Sequence, residues 1–337
     1  MNADSSIEVQ PSVGLVGSGS FGTAIMKLLC ENLDQINWWV TSPYVKGYIK
    51  NEKRNPKYLT SVEFKPEQLN ITTDINKLVK HSDIIFFLVP SIYLLDSLKN
   101  LEVSLKDKIV VTGIKGLIPQ ESKIIGDYFH DDLGIPYENI GVIAGPCHAE
   151  EIALERLSYL TVAFENEVRA EKVASLLRGK HLNTTLSNDI LGTEHSAVLK
   201  NVYAISAGIA HGLGYGDNFI AVLLSNAIRE MQDYLKVLSP LDRNINDSVY
   251  LGDLLVTGYS YFSRNRMFGN MIGKGYTVTS ALMEMNMVPE GYYATDGIYK
   301  IAQENEIKLP ILKTIFNILY GEKNPKKQFK KLSKKLN

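Results

Sequence analysis

Val13-Gly14-Leu15-Val16-Gly17-Ser18-Gly19-Ser20-Phe21-Gly22-Thr23 is the stretch that decides the fold. Val13 to Val16 read as a buried strand, and Thr23 to Leu33 read as a helix. Between them lies a Gly-x-Gly-x-x-Gly loop, the phosphate-cradling turn of a Rossmann-type dinucleotide site. Gly17 permits the tight turn out of the strand. Gly19 lets the backbone approach a pyrophosphate, and Gly22 lets the helix pack on the strand. The helix N-terminus then offers free N–H groups and a positive dipole to the phosphates. An acid about 20 residues downstream usually binds the ribose hydroxyls of NAD. Here the next strand ends Trp39-Val40-Thr41-Ser42-Pro43, with neither that acid nor an Arg for a 2′-phosphate. The cofactor reads as NAD, NADP or either.

Outward from this loop, apolar runs recur at Asn37–Val40, Ile84–Val89, Ile109–Thr112, Ile140–Ala144 and Tyr159–Phe164. Near-continuous apolar strands suit a sheet covered by helices on both faces. Strand-helix-strand spacing makes the first half a doubly wound α/β domain. From about residue 185 helical segments dominate: Ile190–His211, Phe219–Val237, Ser248–Tyr261, Thr277–Met287, Thr295–Asn305 and Ile311–Tyr320. The expected division is a Rossmann dinucleotide-binding domain over 1–184 and an all-helical substrate domain over 185–337, with the active site in the cleft between them. The Lys-rich tail after Gly321 reads as a solvated helix end or frayed terminus, with a membrane-surface or partner contact as the lesser alternative.

The bulk properties narrow the function classes. A chain of 337 residues holds two compact domains, and 45% hydrophobic content supports real cores. Lys plus Arg is 36 and Asp plus Glu 37, so the broad basic excess of a nucleic-acid protein is missing. The two cysteines, Cys30 and Cys147, form no disulfide framework and suit a reducing cytoplasm. Asp4 and Glu8 interrupt any apolar signal core, and the apolar run Ile84–Val89 is far too short to span a bilayer. The six histidines show no paired metal-site spacing, so no metal is expected.

Polar groups stand out in several apolar or glycine-rich contexts. Lys115 follows a buried strand, where open α/β sheets bind their ligands; the alternative is a solvated loop lysine. Lys200-Asn201 interrupts the apolar helix Ala197–Ile205. Such a lysine either snorkels outward or points into the cleft, where desolvation lowers its pKa toward neutrality. Asp253 and Thr257 share one helix face. There a carboxylate could orient an ammonium, or simply be exposed. Ser263-Arg264-Asn265-Arg266, with Gly269, Gly273 and Gly275 beyond, suits bidentate phosphate binding near a turn, or a basic surface turn.

Taken together, these places resemble the bacterial NAD(P)-dependent sn-glycerol-3-phosphate dehydrogenases. The resemblance runs from about Val13 to about Leu319. It rests on the glycine loop, Asn55-Pro56-Lys57-Tyr58-Leu59, Val89-Pro90-Ser91, Ile114-Lys115-Gly116 and Ala144-Gly145-Pro146. Further along come Leu199-Lys200-Asn201, Gly216-Asp217-Asn218, Leu251-Gly252-Asp253-Leu254 and Ser263-Arg264-Asn265-Arg266-Met267-Phe268-Gly269.

The resemblance implies roles. Lys200 is the proton donor and acceptor, Asp253 is grouped with it, and Lys115 contacts substrate and cofactor. Gly145, Cys147, Asn201, Thr257, Ser263, Arg264 and Asn265 bind substrate. Ser20 and Phe21 line the pyrophosphate and nicotinamide side, and Ala149, Arg264 and Glu290 contact cofactor. The implied reaction interconverts dihydroxyacetone phosphate and sn-glycerol 3-phosphate, supplying glycerophospholipid synthesis. The partner is a small phosphorylated substrate, and a homodimer is compatible with such enzymes.

The chain departs from the family pattern in places. Phe21 stands where Trp is usual, Cys147-His148 where Ser-Phe is usual, and Thr193–Ala197 and Asn226 also differ. None of these removes Lys115, Lys200, Asp253 or the Arg264-Asn265 pair. A related hydroxyacid or keto-acid reductase is the alternative enzyme, and a dinucleotide sensor without turnover is the alternative outside enzymes.

Overall fold

The structure is a computed structural model that describes residues 10–337, apart from Gln120 and Asn286. The expectation drawn from Asp4 and Glu8 lies outside these residues. The strands are β1 Val13–Val16, β2 Ile36–Trp39, β3 Leu69–Thr72, β4 Ile84–Phe87, β5 Ile109–Thr112, β6 Ile140–Ala144, β7 Ser158–Ala163 and β8 Leu182–Ser187. They form one eight-stranded sheet in the order β3-β2-β1-β4-β5-β6-β7-β8. Every pairing is parallel except β6 with β7.

Every strand expected from an apolar run is present, with small shifts at its ends. Two were not anticipated. β3 is short and lies at one edge. β8 lies at the other edge, carries Asn183, Thr184 and Thr185, and is mostly exposed or half-buried. Neither shows the continuous apolar run that marks a strand buried on both faces. β8 also runs across residues 184 and 185, and the helical part begins beyond it.

The helices of the first half are α1 Ser20–Asn32, α2 Pro43–Glu52, α3 Ile75–Lys80, α4 Leu94–Leu98, α5 Ile125–Asp131, α6 Ala149–Ala153 and α7 Glu167–Leu177. Apolar side chains fill both faces of the sheet. One layer joins Leu15, Trp38, Phe86 and Val162 to α1 and α7. The other joins Val16, Ile85, Phe87 and Val110 to α3, α4 and α5. Strand order reverses between β1 and β4. In such sheets ligands bind beyond the strands' carboxyl ends at this switch point.

The second half contains α8 Ile190–Gly212, α9 Asp217–Leu238, α10 Asp253–Tyr259, α11 Arg264–Gly273, α12 Val278–Glu284, α13 Glu290–Glu304, α14 Pro310–Leu319 and α15 Pro325–Leu332. α8 is the axis of this bundle. Apart from Leu191, His211 and Gly212, all its residues are buried. α11 crosses it backbone to backbone: a Cβ on Gly269 would lie 2.2 Å from the Ile205 carbonyl oxygen, and one on Gly208 would lie 2.0 Å from that of Arg266. α8 is also tied to the sheet. Glu194 accepts hydrogen bonds from the Ile125 and Gly126 amides at the start of α5, at 2.8 and 3.1 Å through one oxygen.

Two readings of the helical half are corrected. Arg264-Asn265-Arg266 belongs not to a turn but to the first turn of α11, capped by Ser263, whose Oγ accepts from the Arg266 amide at 3.3 Å. The Lys-rich tail is a helix end with exposed lysines, as expected, but it is not frayed. α15 buries Phe329 and Leu332 in the bundle core, and the Asn226 amide donates to the Asn337 carbonyl oxygen at 3.0 Å. Two apolar side chains one helical turn apart hold the segment down, while its lysines face water. Among the described residues, no helix is long and apolar enough to cross a membrane.

Candidate active site

The glycine loop leaves β1 where β4 and β5 also end. Gly17 has φ +121°, a left-handed conformation that favours glycine, and its carbonyl accepts from Trp38 Nε1 at 2.9 Å. A Cβ on Gly22 would lie 2.6 Å from the Gly17 carbonyl oxygen, so α1 meets the strand closely here. A Cβ on Gly19 would meet nothing within 4 Å, so the loop is open above it. No side chain caps α1 and no acid lies in its first turn. The loop therefore fits a pyrophosphate, which would take up the uncapped N–H groups.

Asn55 fixes the loop from behind, a role the sequence reading did not assign. Its side chain is buried and donates to the Ser18 carbonyl oxygen at 2.9 Å and to Thr23 Oγ1 at 3.0 Å. Its Oδ1 accepts from the Lys57 and Tyr58 amides at 2.9 and 3.0 Å. The only signal was the string Asn55–Leu59, which carries no chemistry of its own.

A cleft of about 390 Å³ opens in front of the loop, between the sheet's edge and the helical bundle. Gly19, Ser20, Phe21, Lys115, Cys147, Ala149, Lys200, Asn201, Thr257, Ser263, Arg264, Asn265 and Glu290 all line it. Gly17, Gly22, Gly145 and Asp253 are not in its wall. The first two shape the loop, and the other two stand behind Lys200.

Lys200 projects from the middle of α8 and is 4% exposed, while Asp253, at the start of α10, is 1% exposed. Lys200 Nζ donates to Asp253 Oδ1. The other oxygen, Oδ2, accepts from the Gly145 amide at 3.3 Å. Thr257 Oγ1 donates to the Asp253 carbonyl oxygen at 2.6 Å. Asp253 directly follows a π-helical turn, Ser248–Gly252. Such turns often mark functional sites. Burial pulls the Lys200 ammonium down to about 7, Lys115 pushes the same way, and Asp253 opposes both.

Lys115 stands opposite, on the loop after β5. Its carbonyl oxygen accepts from Asn201 Nδ2 at 2.9 Å, and its ammonium lies 5.0 Å from the centre of the Phe21 ring. That cation–π contact links the lysine to the dinucleotide loop. Arg264 reaches the cleft from the first position of α11. Beside it, Asn265 Oδ1 accepts from the Gly291 amide at 2.9 Å, leaving its amide nitrogen as a donor. Glu290 is buried and grips Ser91 through its backbone amide at 2.9 Å and its hydroxyl at 2.6 Å. Ser91 is thus another residue whose role went unread: it fastens α13 to the loop after β4.

Burial pushes the Cys147 thiol up to about 12, so it is neutral. His148 also lines the cleft. Burial, with Lys200 and Lys115 nearby, pulls its imidazole down to about 4. Among the described residues, no group of three His, Cys, Asp or Glu side chains is placed to hold a metal ion.

A Rossmann loop, a buried lysine of lowered pKa held by a carboxylate, and an arginine at one cleft define a dinucleotide-dependent dehydrogenase. The description NAD-dependent glycerol-3-phosphate dehydrogenase N-terminus matches residues 12–170, and the corresponding C-terminus matches residues 189–330. The chain is 31% identical to glycerol-3-phosphate dehydrogenase (NAD(P)+) of Enterococcus faecalis, covering 96% of each chain. It superposes on the crystal structure of glycerol-3-phosphate dehydrogenase from Coxiella burnetii with a TM-score of 0.88 at 26% identity, covering 96% of this chain and 98% of that one. A D-mandelate dehydrogenase structure shares the fold alone, with a TM-score of 0.59 at 16% identity over 94% of this chain and 99% of that one. The chain belongs to the NAD-dependent glycerol-3-phosphate dehydrogenase family.

Proposed function

We propose that this protein interconverts dihydroxyacetone phosphate and sn-glycerol 3-phosphate, using NAD or NADP as the redox partner. The observation that carries this reading is Lys200, held by the buried Asp253 behind it and lining the same cleft as Arg264 and the glycine loop.

The loop residues Gly17 to Gly22 would hold the dinucleotide, with Ala149 and Glu290 nearby. When bound, its reduced nicotinamide supplies the hydride. The chain's own residues do the rest. Reduction builds negative charge on the carbonyl oxygen. Lys200, as an ammonium, stabilises that charge and then donates its proton. Asp253 keeps the ammonium in place, and is itself held by the Gly145 amide. Arg264 and Asn265 bind the phosphate, so binding energy remote from the carbonyl fixes its position. Lys115 adds a second positive charge and, against Phe21, joins the substrate end of the cleft to the dinucleotide end.

The division of labour follows the fold. The sheet unit through Ser187 binds the dinucleotide, and the helical unit from Ile190 supplies Lys200, Asp253 and Arg264. Glycerophospholipid supply, a cytoplasmic location and a homodimer belong to the same reading. The two free cysteines support a reducing compartment. The test is an initial-rate assay with NADH and NADPH against dihydroxyacetone phosphate and a panel of 2-oxo acids. The expected result is turnover of dihydroxyacetone phosphate. Turnover confined to the oxo acids would overturn the assignment.

A further inference from the structure

We propose that His148 accepts the hydrogen bond of the substrate's free hydroxyl, and so selects a hydroxymethyl ketone phosphate over one that lacks the hydroxyl. This rests on the reaction proposed above and adds a specificity residue to it.

His148 sits in the loop between β6 and α6 and lines the cleft with Lys115, Lys200 and Arg264. Its ring leans toward Phe262, with centroids 6.4 Å apart. Its Nδ1 is buried and has no hydrogen-bond partner among the described residues. Buried polar atoms are nearly always paired, and an orphan at a ligand cleft points to the ligand as its partner. The ring is neutral near pH 7, because burial and the cations around it disfavour the imidazolium. Either tautomer of a neutral imidazole keeps one nitrogen as an acceptor.

The cleft wall includes other acceptors, among them the Glu150 carboxylate and Asn201 Oδ1, but of the lining side chains only His148 carries a buried polar atom without a partner among the described residues. Lys115, Lys200 and Arg264 can only donate. Both Asp253 oxygens are taken, by Lys200 and by the Gly145 amide. Asn265 Oδ1 is held by the Gly291 amide, and the Glu290 carboxylate by Ser91. On dihydroxyacetone phosphate, the phosphate and the carbonyl only accept, and these donors suit them. The remaining hydroxyl carries a proton that needs an acceptor away from bulk water. His148 provides one, in a ring flanked by the same cations that hold the rest of the substrate. A site built to pair a substrate hydroxyl rejects the analogue that lacks it far more strongly than an apolar pocket does.

The test compares kcat/KM for dihydroxyacetone phosphate and for hydroxyacetone phosphate, which has a methyl group in place of the hydroxymethyl. Wild type, His148→Phe and His148→Asn are measured. Wild type is expected to favour dihydroxyacetone phosphate by about 100-fold or more. His148→Phe should cut that preference to about tenfold or less, through loss on dihydroxyacetone phosphate alone. Phe keeps the ring beside Phe262. His148→Asn restores an acceptor and should recover part of the preference, and it also serves if the Phe variant folds poorly. An unchanged preference in His148→Phe would overturn the inference and move hydroxyl recognition elsewhere, with Asn201 the next acceptor to examine. Equal use of both ketones by wild type would also overturn it. Failure of wild type to reduce either ketone would instead sink the reaction on which it rests.

Discussion

Two buried ion pairs share α8, and they behave differently. Asp189 caps the start of the helix and is bound by Arg243, at 2.7 Å through Nε and 3.1 Å through Nη2. Lys200, further along the same helix, is bound by Asp253. Asp189 also accepts from the Gly192 amide at 3.0 Å and the Tyr250 hydroxyl at 2.5 Å, so both its oxygens are saturated. Burial pushes its carboxyl up, but Arg243, Tyr250 and Gly192 outweigh that and hold it below the usual carboxylate range. Arginine does not lose its proton in proteins. The Asp189–Arg243 pair is therefore a fixed clamp. It joins the start of α8 to the segment after α9 and to the π-helical turn that leads into Asp253. Lys200 lines the cleft with Asp253 behind it, and its ammonium can lose a proton near neutral pH. Similar burial and similar charge thus give structure in one place and, on the proposed mechanism, proton transfer in the other. The difference lies in the choice of Lys over Arg and in access to a ligand.

Breaking each pair should show that difference. Lys200→Ala should lower kcat by about 10²- to 10⁴-fold, the usual scale for a general acid–base group, with dinucleotide binding nearly intact. Stopped-flow or steady-state rates beside a cofactor titration check this, and unchanged turnover would remove Lys200 from the chemistry. Arg243→Ala should do the reverse. It leaves Asp189 buried without its cation, which costs about 3–5 kcal/mol of stability. kcat per folded molecule should stay close to wild type, as measured by denaturant unfolding and by rates below the transition. The clamp also has a pH sign. A carboxyl whose folded pKa is depressed contributes stability above its unfolded pKa, about 3.9, and loses it as pH falls through the lower folded value. Acid unfolding of wild type should show this loss, and Arg243→Ala should lose it at higher pH. Arg264→Ala should have a smaller effect. KM for the phosphorylated ketone should rise about 10- to 100-fold, the loss of a charge-assisted phosphate contact, with little change in kcat.

How much of this was legible in the sequence follows the same physical line. The strands expected from apolar runs were readable because their side chains are apolar almost throughout, with few polar breaks such as Asn37 and Thr161. β3 and β8 were not, because edge strands need no such pattern. Lys200 was conspicuous as a charge within an apolar helix, yet only the folded chain shows Asp253, 53 positions away, against its ammonium. Asp189 and Arg243 drew no notice, since a capping Asp and a loop Arg look alike whether buried or exposed. Ser263-Arg264-Asn265 looked like a turn because a helix cap and a turn use the same small polar residues. In the tail, the charge count hid Phe329 and Leu332, which fix its position. The family motifs pointed to Lys115, Lys200 and Asp253 as candidate reacting residues but could not reveal the unpaired nitrogen of His148, which depends on what the surrounding chain leaves unsatisfied.

The most direct test of the central claim is the pH dependence of kcat/KM in both directions, which reports ionisations of the free enzyme. Ketone reduction needs Lys200 protonated, so it should fall about tenfold per pH unit above about 7. Oxidation of glycerol 3-phosphate needs the neutral amine and should rise up to the same pH and then level off. Asp253→Asn removes the charge that raises the Lys200 pKa, so both breaks should move to lower pH. Profiles that are flat from about pH 6 to 9 in both directions, in wild type and in Asp253→Asn alike, would contradict the assignment of Lys200 as the acid and base.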